Sequence, residues 1–74
     1  MTNKEISIFC NNVKILRKRN GLNREEMAHI CGISVPELIQ IEQGSLPKSI
    51  TVDIAIRLFH YFDISPENLF RPLS

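Results

Sequence analysis

The chain has 74 residues, which is enough for one small domain and too few for two independently folded cores. Hydrophobic residues make up 43% and charged residues 23%, so the composition excludes a disordered tail or a low-complexity segment, and the length argues against most enzymes. The formal net charge of +1 gives no overall attraction to nucleic acid. The charges are nevertheless unevenly placed, because residues 1–24 contain six Lys or Arg and one Glu, whereas residues 25–47 contain four Glu and no Lys or Arg.

Several features of the sequence predict a cytoplasmic protein without a cofactor. No apolar run reaches the ~18 residues that span a bilayer, and the first residues lack the apolar stretch of a secretory signal. Cys10 and Cys31 are too few for a disulfide framework and are expected to be small buried groups in a reducing compartment. Together with His29 and His60 they lack the spacing of a zinc site, so we expect no metal. No catalytic motif is present, and we expect a protein that is not an enzyme.

The first predicted helix begins with a capping box. Thr2 is followed three residues later by Glu5, so each can satisfy a free backbone N–H of the first turn. The helix should end at Asn20 and Gly21. Its apolar residues recur at the spacing of one buried stripe, which comprises Ile6, Phe9, Cys10, Val13 and Leu16.

The second and third predicted helices also begin with capping boxes. Asn23 and Glu26 form one capping box and Ser34 and Glu37 form another, with Pro36 in the first turn of the third helix. Glycines close both helices, at positions 32 and 44. The side chains expected to face the core are Met27, Ile30 and Cys31 in the second helix and Leu38 and Ile41 in the third.

A loop over residues 45–48 precedes two further helices. Ser49 or Thr51 can cap the fourth helix, which should continue to about Phe62. A short fifth helix should begin at Ser65 and Pro66 and carry Leu69 and Phe70. Because helix signals recur and strand signals are missing, we predict a single all-α domain of five helices over residues 1–74.

The link between the second and third helices has only three residues, which is typical of a helix-turn-helix. The segments 22–28, 32–34 and 41–44 resemble the phage repressor and Cro (Xre-like) helix-turn-helix family, and segments 13–22 and 61–70 are similar to the start and the end of that domain. The resemblance covers about residues 6–70, with the helix-turn-helix at 23–43. It implies a compact lambda-repressor-like fold and a sequence-specific DNA-binding transcriptional regulator, expected to be a repressor, whose third helix enters the major groove of double-stranded DNA.

The resemblance also implies which residues contact DNA. Those expected to face the bases are Val35, Pro36, Glu37 and Gln40, with Ile39 at the flank. Those expected to contact phosphate are Asn23, Arg24, Gln43, Ser45 and Lys48. Arg24 suits this role because a guanidinium and a helix N-terminus both attract phosphate, although an ordinary solvated arginine is an equal alternative.

The third helix departs from the family pattern because it presents no basic residue to the bases. Val35 and Pro36 can touch thymine methyl groups, and Gln40 can bond adenine. Glu37 can accept a hydrogen bond from cytosine, but its use as the capping partner of Ser34 is the favoured interpretation. Because few phosphate contacts are expected and four glutamates are clustered in residues 25–42, we expect modest DNA affinity and a shallow salt dependence for a monomer.

Two further interactions are expected within and between chains. The resemblance implies a buried ion pair between Arg17 and Glu42, with two separate solvated charges as the alternative.

The fourth helix is apolar almost all round, with Val52, Ala55, Phe59 and Phe62 on one face and Ile54, Leu58 and Tyr61 on another. Since family members commonly form their two-fold contact in this region, a homodimer is expected, with Leu58, Tyr61 and Phe70 as its candidate surface. Alternatively, the helix is covered by its own neighbours.

A second functional hypothesis stays open at this point. The apolar residues of the third helix, Val35, Pro36 and Ile39, are also compatible with an interaction module that binds protein instead of DNA, such as an antitoxin-like protein or an anti-repressor partner. No membrane partner and no small-molecule ligand are inferred from the sequence.

Overall fold

The protein is an all-α, five-helix structure. The computed structural model describes residues 3–46 and 51–73, and these ranges contain no strand. The helices are α1 (Asn3–Arg19), α2 (Arg24–Cys31), α3 (Val35–Glu42), α4 (Thr51–Phe62) and α5 (Pro66–Leu69). The predicted order and type of all five helices are confirmed. The proposed caps at Thr2 and Ser49 lie outside the described residues.

Capping boxes begin α2 and α3, as predicted. The Asn23 Oδ1 atom accepts from the backbone N–H of Glu26 at 2.8 Å, and Glu26 Oε1 accepts from the backbone N–H of Asn23 at 2.9 Å. Ser34 and Glu37 form the equivalent pair, at 3.3 and 3.0 Å. Two short helices of eight residues each therefore start at fixed positions, although neither is long enough to be stable alone.

Gly32 forms the turn between α2 and α3. Its φ of 70° lies in the left-handed region, where a residue with a Cβ is strained, and its backbone N–H donates to the carbonyls of Ala28 and His29. Ile33 is the one residue between Gly32 and Ser34, which is the N-cap of α3. This compact turn packs the two helices against each other.

The core lies between α1, α2, α3 and α4 and is closed by α5. Fully buried side chains from all five helices meet there, including Phe9 and Val13 of α1, Met27 of α2, Leu38 of α3 and Leu58 of α4. The stripe predicted for α1 is buried except for Ile6, which is half-buried. Cys10 and Cys31 are buried and unbridged, as expected for small core residues, and burial raises the pKa of the Cys31 thiol to about 11.

A buried asparagine attaches the C-terminal segment, residues 69–73, to α1. Asn12 is 1% exposed, and its Nδ2 atom donates to the carbonyls of Leu69 and Arg71, both at 2.7 Å. Its Oδ1 atom accepts from the backbone N–H of Leu73 at 3.2 Å. The stripe predicted for α1 did not include this residue, because its partners lie 57 to 61 positions away in the sequence.

Candidate nucleic-acid interface

The outward face of α3 is defined by the two side chains that point inward. Leu38 and Ile41 are both 0% exposed. Because successive helical residues are rotated by about 100°, the opposite side of the helix carries four other residues. These residues, called here the outward face of α3, are Pro36, Ile39, Gln40 and Gln43; Ile39 is half-buried and the others are exposed. This face is open to solvent and carries no charge.

Val35 and Glu37 lie at the edges of the outward face. Val35 is half-buried and packs against the core. Glu37 is occupied by the capping box, because its Oε1 atom accepts from the backbone N–H of Ser34 at 3.0 Å and from the Ser34 hydroxyl at 2.9 Å. The backbone hydrogen bond, and then the hydroxyl hydrogen bond, lower the pKa of the Glu37 carboxyl. The carboxylate is therefore directed to the start of its own helix, as the favoured interpretation had it.

An ion pair joins the end of α3 to α1. The Arg17 Nε atom lies 2.7 Å from Glu42 Oε2, and Arg17 Nη2 donates to Glu42 Oε1 at 3.1 Å. The Arg17 and Glu42 side chains are only 13% and 3% exposed. Arg17 Nη1 also donates to the carbonyl of Leu22 at 3.3 Å, in the connection that leads to α2. This bidentate geometry makes the contact strongly directional, so it fixes the position of α3 on the body of the domain.

A second arginine reaches the same carboxylate. Arg24, the first residue of α2, places its Nε atom 3.5 Å from Glu42 Oε1 while its side chain remains 50% exposed. The assignment of Arg24 to a DNA phosphate stays a prediction. The sequence gives no local signal for the contact between Arg24 and Glu42, and the resemblance implied only the pair of Glu42 with Arg17. The two arginines and Glu42, called here the arginine–glutamate cluster, connect α1, α2 and α3.

The other candidate phosphate-binding residues lie at the two ends of the helix-turn-helix. Asn23, Gln43 and Ser45 are exposed. Asn23 uses its Oδ1 atom to cap α2, so its Nδ2 group remains as the donor for an external acceptor. Lys48 lies outside the described residues.

A family model described as helix-turn-helix matches residues 13–69. The matched region runs from the middle of α1 to the last residue of α5 and includes the arginine–glutamate cluster. The chain belongs to the Xre/Cro-like helix-turn-helix family. This family consists of DNA-binding regulatory domains. No curated protein and no solved structure was found to match the chain.

The helix-turn-helix protein does not present the predicted dimer residues on one surface. Leu58 is 0% exposed in the core, so its assignment to the dimer surface is wrong. Helix α4 buries the side that carries Ile54 and Leu58, because that side meets α2 and α5. Tyr61 is 60% exposed and borders α2, whereas Phe70 is half-buried and stacks on Phe9 with ring centroids 5.2 Å apart. Tyr61 and Phe70 thus lie on opposite sides of the buried stripe of α4.

A different part of α4 presents exposed apolar side chains. Val52, Ile56 and Phe59 are 71%, 49% and 42% exposed, and they line a groove whose other wall includes Pro66 and Phe70 of the C-terminal region. In the sequence, Val52 and Phe59 were expected to share one face with Ala55 and Phe62. The spacing 52, 56 and 59 fits one helical face, but the sequence left open which face the core would take.

None of the described helices is long and apolar enough to cross a bilayer.

Proposed function

We propose that this chain is a transcriptional repressor that binds double-stranded operator DNA as a homodimer, with α3 in the major groove. The observation that carries the proposal is the arginine–glutamate cluster. Glu42 of α3 is hydrogen-bonded to Arg17 of α1 and forms a longer ion pair with Arg24 of α2, and these contacts favour one arrangement of the three helices before DNA is bound. A preorganised surface avoids the ordering cost that weakens association.

The outward face of α3 supplies the proposed base contacts. Pro36, Ile39 and Gln40 lie opposite the buried side chains of α3, with Val35 and Glu37 at its edges. In this family of folds the second helix of the motif lies in the major groove, with its N-terminal residues at the base edges. Direct base contacts would account for sequence preference, since contacts to phosphate are the same for every sequence.

Arg24 supplies the principal proposed phosphate contact. Its half-exposed guanidinium stands at the N-terminus of α2, where the free backbone N–H groups also favour an anion. The Nε atom of Arg24 lies 3.5 Å from Glu42 Oε1, and half of the Arg24 side chain stays exposed to solvent. Asn23 lies at the same end of α2, whereas Gln43 and Ser45 lie beyond the end of α3. We expect these residues to contact phosphates on the two sides of the major groove.

A second copy of the chain is the proposed occupant of the α4 groove. The groove joins the exposed Val52, Ile56 and Phe59 to Pro66, and His60 is the ionisable residue among its lining side chains. Such a surface suits an isologous contact, in which the same patch of two copies is self-complementary. Two copies would also place two α3 helices on one duplex, which offsets the modest affinity expected of each.

Sedimentation equilibrium tests the dimer with a pair of matched substitutions. Phe59→Glu places a charge in the groove and should shift the protein to the monomer, whereas Tyr61→Glu places the same charge on the far side of α4 and should leave the dimer intact. If the parent protein is a monomer at micromolar concentration, or if both substitutions act equally, the groove is not the dimer contact.

Fluorescence anisotropy tests DNA binding directly. The probes are a duplex from the region upstream of the chain's own gene and a scrambled duplex of equal composition, each at low and physiological salt. Arg24→Ala should weaken binding to both duplexes and reduce the salt slope by about 1. Arg71→Ala is the matched control, since Arg71 is an exposed arginine of the C-terminal segment. Equal affinity for both duplexes, or an unchanged slope in Arg24→Ala, would refute the proposed interface. The repressor role predicts that bound protein lowers transcription from the preferred duplex in vitro.

A protein-interaction module is the second candidate, and the uncharged outward face of α3 favours it. The commonest specific contact to a base is that of Arg or Lys with guanine, whereas this face offers two apolar side chains and two glutamines. If neither duplex is bound at low salt, this candidate replaces the first.

A further inference from the structure

The chemistry of the outward face of α3 restricts which base pairs it can contact favourably. Guanine presents two acceptors in the major groove, N7 and O6, and its strongest protein partners are Arg and Lys. Helix α3 contains neither residue. Cytosine presents an amino donor that pairs with Asp or Glu, but Glu37 is already bonded to Ser34 through Oε1 and lies at the edge of the face. Side chains that favour a G·C pair are therefore missing from this face, or lie at its edge with one carboxylate oxygen already bonded.

The same face contains the partners of an A·T pair. Thymine presents a 5-methyl group, which favours apolar side chains, and adenine presents N7 and the 6-amino group, which match the amide of glutamine. Pro36 and Gln40 are exposed. Among the described residues, the partly buried apolar side chains packed on the core include Val35 but not Ile39. Ile39 is half-buried on the outward face of α3, so part of its side chain remains accessible to a partner.

We infer that α3 recognises A·T pairs, with Ile39 contacting a thymine 5-methyl group beside Pro36 and Gln40 bonding an adenine. This inference deepens the proposed function and rests on it, because it specifies the class of operator that the same surface binds. The preferred half-sites are rich in A·T pairs, and their recognition depends on the thymine methyl group.

The probe is a DNA duplex that the protein selects from a library of duplexes with a random 20-base-pair centre. The expected result is enrichment of A·T-rich half-sites, and the enriched duplex is then synthesised with deoxyuridine in place of each thymidine of a half-site in turn. Uracil pairs as thymine does and lacks only the methyl group. Loss of the contacted methyl should weaken binding about fourfold per half-site, the factor that corresponds to burying one methyl-sized group.

Substitutions in the protein locate the contact. Ile39→Ala should lower the affinity for the thymine duplex and remove the difference between thymine and uracil. Ile15→Ala is the matched control, because Ile15 is a half-buried isoleucine of α1 outside both proposed contact surfaces, and it should preserve that difference. Gln40→Ala should reduce the preference for the contacted adenine by at least about fivefold.

Three outcomes would overturn the inference, and they are distinguishable. Enrichment of G·C-rich half-sites would show that the protein binds specific DNA but that the assigned chemistry is wrong. Enrichment of A·T-rich sites that bind equally well with uracil, or whose uracil effect survives in Ile39→Ala, would show that the methyl contact is absent. No enrichment of any sequence would refute the proposed function itself, and the inference with it.

Discussion

Replacing Asn12 by alanine should destabilise the domain strongly, although the residue is polar and distant from the proposed interface. The side chain is 1% exposed and makes three hydrogen bonds to the backbone of residues 69, 71 and 73. Alanine retains the helical backbone of α1 and removes all three bonds. The carbonyl of Leu69 then loses its buried donor, unless the C-terminal segment detaches and exposes Leu69, which is 0% exposed in the native structure.

The expected loss is about 3 kcal/mol. Each hydrogen bond contributes about 1 kcal/mol net, and a buried carbonyl left without a partner costs about 1–3 kcal/mol. Detachment of the C-terminal segment would destabilise the domain by at least a similar amount, because exposing one leucine costs about 1.5–3 kcal/mol before the other contacts of the segment are counted. A domain of this length is expected to have a free energy of unfolding of about 4–11 kcal/mol. The substitution therefore removes a large fraction of it and should lower Tm by about 12–24 °C.

Urea unfolding followed by circular dichroism at 222 nm measures this loss. Asn11→Ala is the matched control, because Asn11 is the exposed neighbour of Asn12 in the same helix. It should change the free energy of unfolding by less than about 0.5 kcal/mol. Asn12→Asp keeps the size of the side chain but turns a carboxylate oxygen toward two carbonyls, so at neutral pH it should be at least as destabilising as alanine. If Asn12→Ala and Asn12→Asp both lie within about 1 kcal/mol of the control, the hydrogen bonds of Asn12 do not hold the C-terminal segment.

Three further predictions concern other parts of the domain. Glu42→Ala leaves Arg17 unpaired at 13% exposure and should cost about 3 kcal/mol in urea unfolding, near the lower end for a broken buried pair; a loss below 1 kcal/mol would contradict this. The native pKa of Glu37, measured by NMR titration, should lie below its ordinary value of 4.5 and rise in Ser34→Ala. Because the folded pKa is the lower one, the stabilisation from this carboxylate should be present above the unfolded pKa and lost as the pH falls through the folded pKa. The Cys31 thiol, with its pKa raised to about 11 by burial, should react with iodoacetamide at pH 8 only after unfolding; rapid labelling of the native protein would show that α2 opens locally.

The sequence by itself determined the features that depend on neighbouring residues. The capping boxes at Asn23 and Ser34 and the left-handed turn at Gly32 each involve residues within about four positions of one another, so local chemistry specifies them. The buried stripe of α1 follows from the helical period for the same reason. The ion pair of Arg17 and Glu42 was also expected, but from the resemblance to a family, since the sequence contains no local signal that relates residues 25 positions apart.

The tertiary structure alone decided which surfaces of these helices were used. Helix α4 has one polar face, with Asp53, Arg57 and His60, and apolar side chains cover the rest of it. Periodicity therefore could not tell which part of this broad apolar surface would meet α2 and α5; the packing buried Leu58 and left Val52 and Phe59 at the surface. Asn12 was likewise unremarkable in the sequence, because only the return of the C-terminal segment to α1 brings carbonyls to its side chain. Arg24 joined Glu42 because the turn at Gly32 places the start of α2 beside the end of α3. Such contacts form between residues far apart in the chain, and their existence depends on how the helices pack, which no local pattern encodes.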